Sequence, residues 1–447
     1  MFLRNSYLQS EDEANAFDFM YDHVVKFSND FLFGVSTSAY QIEGAWNESG
    51  KGESIWDSFT HKRSHLITNN DNGDVSCDSY HKYEEDVELL KNIGIKFYRF
   101  SFSWSRILPK GFAYKINEDG IRYYNHLINL LVESGIQPMG TIFNWDTPLI
   151  IEQLGGFSNE LVIDWFEDYA KVLFNSFGDR VKLWITINEP QRLCLNGYGG
   201  YTTAPGINGS YLASYACGHN VLKAHARVYH LYNKFYKKTQ NGKISIALEN
   251  NWYEPATKSE KDIRATEEKR NLMFFWFAHP LYANGDYPDT LKTIVAKQSK
   301  EDGFKRSQLP KFTDKEMTYI NETFDFYAMT YYTNNIVSFK HNNYTVQTND
   351  HLEVLLNTIH TDKVNVIGYS IWSLFDNFDW NNGYSNKFGL YHVNFTDSNR
   401  KRTPKMSVKF YTNVIKHRSL SRSGSKETSL GMFAFTFLPY VWSIMYG

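Results

Sequence analysis

Short apolar runs alternate with longer amphipathic stretches along most of this chain. The short runs are rich in β-branched and aromatic residues and predict strands, whereas the longer stretches carry apolar residues at three- and four-residue spacing and predict helices. This alternation is typical of repeated βα units in a parallel sheet. The predicted strands lie at about 31–38, 97–103, 137–144, 182–189, 244–250, 325–332 and 364–373, and the clearest helices at about 83–93, 120–134 and 161–177.

Polar and aromatic residues cluster where the predicted strands end. A closed (β/α)8 barrel would gather these ends on one rim, where such barrels carry their sites. A doubly wound sheet would not bring so many ends together, and no glycine-rich phosphate loop follows any strand. The residues at the strand ends are Gln41, Glu43, Arg99, Asn144, Asp146, Asn188, Glu189, Glu249, Tyr332 and Trp372.

The apolar run 184–187 leads into Asn188-Glu189-Pro190, which carries the strongest chemical signal in the chain. A partly desolvated carboxylic acid at a strand end suits the general acid of glycoside hydrolysis. Asn188 can hydrogen-bond a sugar hydroxyl. The structural alternative is a side chain that caps the strand end.

Two further segments carry groups that suit a sugar. The amide of Gln41 offers a donor and an acceptor for adjacent hydroxyls, although a lone glutamine is also common in solvent-facing loops. Glu43 beside it can equally pair with an arginine or lysine. The segment 372–380 combines indoles, which stack on sugar faces, with carboxylates that can hold two hydroxyls.

An eight-stranded barrel needs one strand more than the seven predicted here. The place to look for it is between Tyr332 and Trp372, where 39 residues already hold a helix at about 350–360 and a polar stretch at 339–349. A further strand with its helix and connections needs about 30 residues and does not fit. We therefore expect an incomplete barrel with two unpaired strand edges.

Composition and charge exclude some partners. The chain has 447 residues, enough for one large barrel, with a formal net charge of −2 and no basic stripe, so we expect no nucleic-acid partner. The three cysteines, Cys77, Cys194 and Cys217, fit no metal-ligand spacing and no dense disulfide framework. The sequence therefore predicts no metal or cofactor. The simplest interpretation makes the cysteines small buried hydrophobes, at least one of them without an intramolecular partner.

The two ends of the chain differ from its middle. Residues 1–26 form a predicted N-terminal extension that contains no signal peptide as written. Residues 419–447 combine a polar spacer with an uncharged apolar run, 430–447, of a length at the lower limit for a membrane span. The sequence leaves open a membrane-associated or cleaved tail, a tail packed on the barrel, and an error in the gene model. Secretion or membrane association is the expectation for location.

The chain resembles family 1 of the glycoside hydrolases, the β-glucosidase and myrosinase family, over about residues 27–418. The resemblance implies one TIM-barrel domain over this range. It also implies retaining hydrolysis of O- or S-β-glucosides, with a small glycoside as partner. The motifs that carry it are, in chain order, 30–35, 41–46, 78–83, 98–107, 186–190, 276–280, 285–288 and 368–380.

The resemblance also implies roles for single residues. Glu189 corresponds to the acid/base, and Arg99 and Tyr332 to groups that orient and hydrogen-bond the nucleophile. Asn144 and Asp379 stand where the family has histidine and glutamate. The implied sugar-binding residues are Gln41, Asn144, Trp145, Asn188, Trp372, Asp379 and Trp380.

The family's nucleophile, the glutamate of a Thr-Glu-Asn-Gly motif that ends strand seven, has no counterpart in this sequence. The missing motif and the missing strand would be one deletion near 343–351, which we ascribe to a splice variant or a faulty gene model. Glu249 imitates the motif on the wrong strand, and Asp350 could in principle lie in the gap. We expect a β-glycosidase by family with impaired activity. The alternative is a non-catalytic carbohydrate-binding or interaction protein.

Overall fold

Eight strands close into a barrel in the computed structural model, which describes residues 25–207, 210–339, 344–346, 351–420 and 440–445. Seven of the barrel strands run parallel and the eighth runs antiparallel. In chain order the strands are β1 (Leu32–Ser36), β2 (Phe97–Ser101), β3 (Gln137–Phe143), β4 (Leu183–Asn188), β5 (Lys243–Glu249), β6 (Trp252–Pro255), β7 (Tyr327–Tyr331), β8 (Asn334–Val337), β9 (Tyr344–Val346), β10 (Val366–Trp372), β11 (Tyr391–Val393), β12 (Arg402–Pro404) and β13 (Tyr440–Met445). Around the barrel the order is β1, β10, β13, β7, β5, β4, β3 and β2.

The prediction of a parallel α/β barrel is confirmed, and each of the seven predicted strands corresponds to one parallel strand. Except for β7, whose residues alternate between half-buried and buried, these strands are mostly buried on both faces, as parallel strands covered by helices are expected to be. All six residues of β4 are buried, for example, and Trp184 packs with Phe102 and Phe174 between the strands and the outer helices. The continuous apolar runs of the sequence follow from this double burial.

Helices surround the barrel, and the longer ones bury one apolar face on it. None of the described helices is long and apolar enough to cross a membrane. The α-helices are Ala39–Ile42, Ile55–Lys62, Ser79–Ile93, Trp104–Ile107, Glu118–Glu133, Leu149–Gln153, Val162–Phe177, Pro190–Arg192, Ser210–Phe235, Lys237–Gln240, Glu260–Arg270, Trp276–His279, Asp289–Glu301, Asp314–Ile320, His351–His360 and Met406–His417. Short 3-10 turns lie at Ser64–Leu66, Thr68–Asn70, Gly156–Ser158 and Trp380–Asn382, and π-helical turns at Leu193–Tyr198, Asn271–Phe275 and Pro280–Asn284.

The seventh barrel position holds the C-terminal strand β13 rather than a parallel strand. Tyr440 pairs with Trp372 of β10, and Val441 pairs with Tyr331 of β7. The expectation of two unpaired edges is therefore wrong for the described residues, because backbone groups of a segment distant in sequence satisfy both edges. This pairing agrees with a tail packed on the barrel. Membrane association through 430–447 and the deletion of a strand unit remain predictions.

The segment that was expected to border the gap lies elsewhere. β9, which lies within the polar stretch 339–349, pairs with β8 in a small sheet with β6 outside the barrel. Asp350 itself lies outside the described residues, as do the sequence positions immediately before it.

Candidate active site

A cavity of about 270 Å³ opens at the carboxyl ends of the parallel strands. Every residue to which the resemblance assigns a role contributes to its wall, so the structure brings these ten together, whereas Glu43, Asp146 and Glu249 of the predicted rim do not line it. The ten are Gln41, Arg99, Asn144, Trp145, Asn188, Glu189, Tyr332, Trp372, Asp379 and Trp380. Strand register explains this convergence, because parallel strands of similar length end at one rim.

Eight further residues of the wall were missed by the sequence analysis. Asn381 and Asn382 directly follow the aromatic motif that ends at Trp380, so their position along the chain could have indicated them. The others lie on helices or loops whose approach to the rim depends on tertiary packing. The eight are Trp56, Arg192, Leu193, Asn196, Thr203, Ala204, Asn381 and Asn382.

Glu189 directly follows β4 and is buried in the cavity wall. Its backbone adopts φ 42°, a left-handed conformation that residues other than glycine seldom adopt and that is enriched at functional sites. Its amide N–H donates to the carbonyl of Ala247 on β5 over 2.8 Å, which fixes this turn to the neighbouring strand. Pro190 then begins a short helix, so the carboxyl group lies at a rigid strand-to-helix corner.

The surroundings of Glu189 favour its protonated form. Burial is the main cause, the nearby charge of Glu249 adds to it, and together they raise the pKa of Glu189 to about 7. The hydroxyl of Tyr332 acts in the opposite direction, because it donates to Oε1 of Glu189 over 2.9 Å and stabilises the carboxylate. A carboxyl group with a pKa near neutrality can both give and take a proton under physiological conditions.

Arg99 on β2 is buried and lines the cavity. Its Nη2 donates to Oδ1 of Asn188 over 2.9 Å, and its Nε donates to the hydroxyl of Thr141 over 2.8 Å. Burial lowers the pKa of Arg99 to about 9, while the charge of Glu189 raises it. These contacts orient the Asn188 amide beside the acid.

The amide of Gln41 is already engaged within the protein. Its Nε2 donates to Oδ1 of Asn377 over 3.0 Å and to the carbonyl of Phe378 over 2.8 Å. Its Oε1 accepts from Ser38 over 2.6 Å. Because a primary amide has two N–H groups, a sugar hydroxyl at Gln41 would find only an acceptor lone pair in this arrangement.

Glu43 is a structural residue. The sequence left open whether it serves the site or pairs with a nearby arginine or lysine. Its carboxylate accepts from Nε of Arg106 over 2.9 Å and from the hydroxyl of Tyr124 over 2.5 Å, and the whole cluster is buried. The alternative of an arginine partner is therefore the one that the structure supports.

Aromatic rings form one wall of the cavity. The ring of Trp380 lies 5.0 Å from that of Trp145 and 4.6 Å from that of Trp56. Trp145 and Trp380 both have left-handed backbones, and the indole N–H of Trp145 donates to the carbonyl of Asn188 over 2.7 Å. Such a wall offers the flat apolar surface that a pyranose ring stacks on.

Asp379 lies beside this wall but faces its own loop. Its Oδ2 accepts from the amides of Asn382, over 3.0 Å, and Asn386, over 2.5 Å. Burial raises the pKa of Asp379. The side chain is one methylene shorter than the glutamate implied by the resemblance, and its two amide partners hold it within the loop.

Glu249, the imitation of the nucleophile motif, ends β5 next to β4 and is engaged in an ion pair. Its Oε2 accepts from Nε of Arg192 over 2.6 Å, and its Oε1 accepts from Nη2 of the same guanidinium and from Nδ2 of Asn251 over 2.7 Å. A carboxylate held by a bidentate arginine is a weakened nucleophile, because the two charge-assisted hydrogen bonds stabilise its negative charge.

Two of the three cysteines form a disulfide, which the sequence analysis did not expect. Cys194 follows the acid-bearing corner and is joined to Cys217 on the helix Ser210–Phe235, with their Cα atoms 5.5 Å apart. Sequence spacing alone could not show that a helix brings these two positions together. Cys77 remains a buried free thiol, and burial raises its pKa to about 12. Among the described residues, no group of His, Cys, Asp or Glu could hold a metal ion.

The comparisons with known proteins identify relatives whose sequences align with most of this chain. The family model for glycosyl hydrolase family 1 matches residues 23–349 and 341–420. Myrosinase 1 of Brevicoryne brassicae is 39% identical over 458 residues, which cover 87% of this chain and 98% of that protein. The cytosolic beta-glucosidase of Cavia porcellus is 36% identical over 465 residues, with 89% and 99% covered. The solved aphid myrosinase structure superimposes with a TM-score of 0.83 at 39% identity, covering 88% of this chain and 99% of that one.

These alignments are longer than the part of the chain that they cover. For the myrosinase, 87% of 447 residues is about 389, so about 69 of the 458 aligned positions hold no residue of this chain. For the beta-glucosidase, 89% is about 398 residues, and about 67 of 465 positions are empty. The two family-model matches overlap at 341–349, a range that overlaps the predicted deletion near 343–351. The matched range, the identity and the shared barrel establish that the chain belongs to glycosyl hydrolase family 1.

Proposed function

We propose that Glu189 is the general acid/base of a β-glycosidase site for O- or S-β-glucosides, and that turnover is impaired because the nucleophile is absent. The family relationship supports the hydrolysis of β-glycosides as the activity. The observation that carries the role of Glu189 is its buried carboxyl group, with a pKa of about 7, in a sugar-sized cavity lined by tryptophans.

In this mechanism Glu189 protonates the glycosidic oxygen as the bond from that oxygen to C1 breaks. Tyr332 holds Oε1 of Glu189, and Arg99 holds Asn188, so the acid and its neighbour keep fixed orientations. The tryptophan wall positions the sugar ring. A retaining enzyme needs a second carboxylate about 5–5.5 Å from the first to attack C1 from the opposite face.

Two observations support the absence of that second carboxylate. The strand in the seventh position, Tyr440–Met445, contains neither aspartate nor glutamate, so it brings no carboxylate to the place of the family's nucleophile. The empty alignment positions amount to about 69 residues, which is enough for a complete strand and helix unit. Acid catalysis alone contributes about 10²–10⁴-fold, far less than a complete glycosidase achieves.

An external nucleophile tests both parts of the proposal. In 2,4-dinitrophenyl β-glucoside, azide can attack C1 while the C1–O bond breaks, and the phenolate leaves without needing a proton. We expect release of dinitrophenolate to rise with azide concentration and the sugar product to be the α-glucosyl azide. Without azide, we expect turnover no greater than that of Glu189→Gln.

A poorer leaving group tests the acid. With 4-methylumbelliferyl β-glucoside and azide, departure of the phenolate needs more help from a proton, so Glu189→Gln should lower the rate by about 10²-fold or more. Glu254→Gln, an exposed residue outside the cavity, is the matched control. If the protein forms β-glucose with retained configuration in the absence of azide, and Glu189→Gln does not, the proposed impairment is contradicted.

The alternative is a non-catalytic carbohydrate-binding or interaction barrel, which the missing nucleophile strand and the replacements at Asn144 and Asp379 favour. Calorimetric binding of a phenyl thio-β-glucoside, with no azide-dependent turnover of the dinitrophenyl substrate, would support that function. Sequencing the transcript across the codons for 343–351 addresses the origin of the gap. An additional exon encoding a Thr-Glu-Asn-Gly strand is the expected result.

A further inference from the structure

The ion pair between Glu249 and Arg192 connects the end of β5 with the short segment that follows Glu189. Arg192 lies three residues after the acid, on the short helix Pro190–Arg192, and the guanidinium binds both carboxylate oxygens of Glu249. Gln191 on the same helix donates to the backbone carbonyl of Glu249 over 2.8 Å. Two consecutive side chains, Gln191 and Arg192, therefore fix the segment after Glu189 to the end of β5.

On its other side, Glu249 holds the segment that carries Tyr332. Its Oε1 accepts from Nδ2 of Asn251, and Oδ1 of Asn251 accepts from the backbone N–H groups of Tyr332 and Thr333, each over 3.2 Å. The hydroxyl of Tyr332 then returns to Oε1 of Glu189 over 2.9 Å. The contacts form a closed circuit that runs from Glu189 through the backbone to Arg192, then to Glu249, Asn251 and Tyr332, and back to Glu189.

We propose that Glu249 and Arg192 act as a positioning pair, which holds Glu189 against Tyr332 and sets the electrostatic environment of the acid by keeping two opposite charges balanced beside it. This inference rests on the proposed role of Glu189, and it assigns no contact with the substrate to either member. The carboxylate of Glu249 is 2% exposed, whereas the Arg192 side chain is 40% exposed at the cavity wall.

The charged and titratable groups around Glu189 determine what breaking the pair should do. Glu249 faces it from β5, Arg192 from its own helix, Tyr332 from the segment after β7, and Arg99 from β2. Lys269 lies near the ion pair and feels both of its charges. With Glu249 removed, the Arg192 cation is unbalanced and should lower the pKa of Glu189. With Arg192 removed, the Glu249 carboxylate is unbalanced and should raise it.

Carbon-13 NMR of the full chain labelled at the glutamate side-chain carboxyl tests the proposal without requiring turnover. The Glu189 signal is assigned by its loss in Glu189→Gln, and it is followed between about pH 4 and pH 9. We expect its midpoint to move down by about one pH unit in Glu249→Gln and up by about one pH unit in Arg192→Gln. Arg264→Gln, which removes an exposed arginine from a surface pair, is the matched control and should leave the midpoint unchanged.

Opposite shifts separate this role from a merely structural one, since general loosening of the site would move both variants in the same direction. Shifts of one sign, or shifts no larger than that of Arg264→Gln, would overturn the proposal. If Glu249→Gln fails to fold, the midpoint of Glu189 in Arg192→Gln still tests the proposal. The absence of an upward shift there would refute the role of the pair. Because the readout is protonation, an inactive chain leaves this test intact, and failure of the proposed acid role is seen separately in the azide assays.

Discussion

The hydroxyl of Tyr332 donates a 2.9 Å hydrogen bond to Oε1 of Glu189, so the group that the resemblance assigns to the nucleophile contacts the proposed acid instead. A tyrosine in this place stabilises the carboxylate form of Glu189, whereas burial and Glu249 favour the protonated form. Opposing influences therefore act on the pKa of Glu189, and those of Tyr332 and Glu249 can each be removed by a single substitution.

Tyr332→Phe removes one of these influences and retains the ring. Loss of a hydrogen bond to the charged form should raise the pKa of Glu189 from about 7 by about one to two pH units, because such bonds contribute about 1.5–3 kcal/mol and one unit corresponds to 1.36 kcal/mol. The carboxyl carbon-13 titration measures this. Tyr319→Phe, at an exposed helix position, is the control, and an unchanged midpoint in Tyr332→Phe would contradict the assigned bond.

Glu189 should make the fold less stable as the pH rises. Its pKa is about 7 in the folded chain against an ordinary value of 4.5, so between these values the folded state binds a proton that the unfolded state has lost. The free energy of unfolding therefore falls across that window and levels off above it. Glu189→Gln should match the parent near pH 4 and exceed its stability at pH 8 by on the order of 3 kcal/mol.

Urea unfolding at the two pH values measures this difference. Other buried carboxyl groups with raised pKa values, among them Asp86, Asp146 and Glu152, add their own pH dependence to both proteins. The comparison with Glu189→Gln cancels their contribution. An equal stability difference at both pH values would show that the acid is not perturbed.

The disulfide between Cys194 and Cys217 should stabilise the fold by about 3 kcal/mol, because it closes a loop with a sequence separation of 23 residues. A variant with both cysteines changed to serine should lose that amount in urea unfolding and become insensitive to reductant. Cys77→Ala is the control, since its free thiol takes no part in the bridge and its reductant sensitivity should match that of the parent. Reductant sensitivity in the double serine variant would contradict the assignment.

Removal of the C-terminal strand should expose two strand edges. A chain that ends at Leu420 lacks β13, so β7 and β10 lose their backbone partners along the seventh barrel position. Open edges of this kind pair with other chains. We expect a lower melting temperature and concentration-dependent association by size-exclusion chromatography with light scattering. A chain that ends at Met445 is the control, and a monomeric, equally stable 420-residue chain would refute the pairing.

The sequence predicts the parallel strands and the site because both depend on local patterns. The run 183–188 reads as a buried strand from its β-branched and aromatic residues, and Glu189 follows it at a recognisable corner. Asn144 likewise follows a run of this kind, and Arg99 and Trp372 lie within such runs. Once the strands are parallel and closed, their ends must meet, so the cavity wall follows without any knowledge of individual contacts.

The features that the sequence missed all depend on contacts between distant segments. The pairing of Arg192 with Glu249 depends on the register between β4 and β5 and on the turn at Glu189. Cys194 meets Cys217 only because a helix folds back over the corner. The pairing of Tyr440 with Trp372 joins an apolar tail to a strand about 70 residues earlier in antiparallel direction, and no periodicity in either segment specifies such a partner.

The direction of β13 has a practical consequence for handling the protein. Tyr440 enters the barrel beside Trp372 at the cavity rim, and Met445 lies beside Val366 and Tyr327, at the opposite end of the barrel. A surface tether or fusion partner attached at the carboxyl end of this strand would therefore leave from the face opposite the sugar-sized cavity. Immobilisation through that end should leave the cavity open to ligands, whereas insertion immediately before Tyr440 would place the added mass over its mouth.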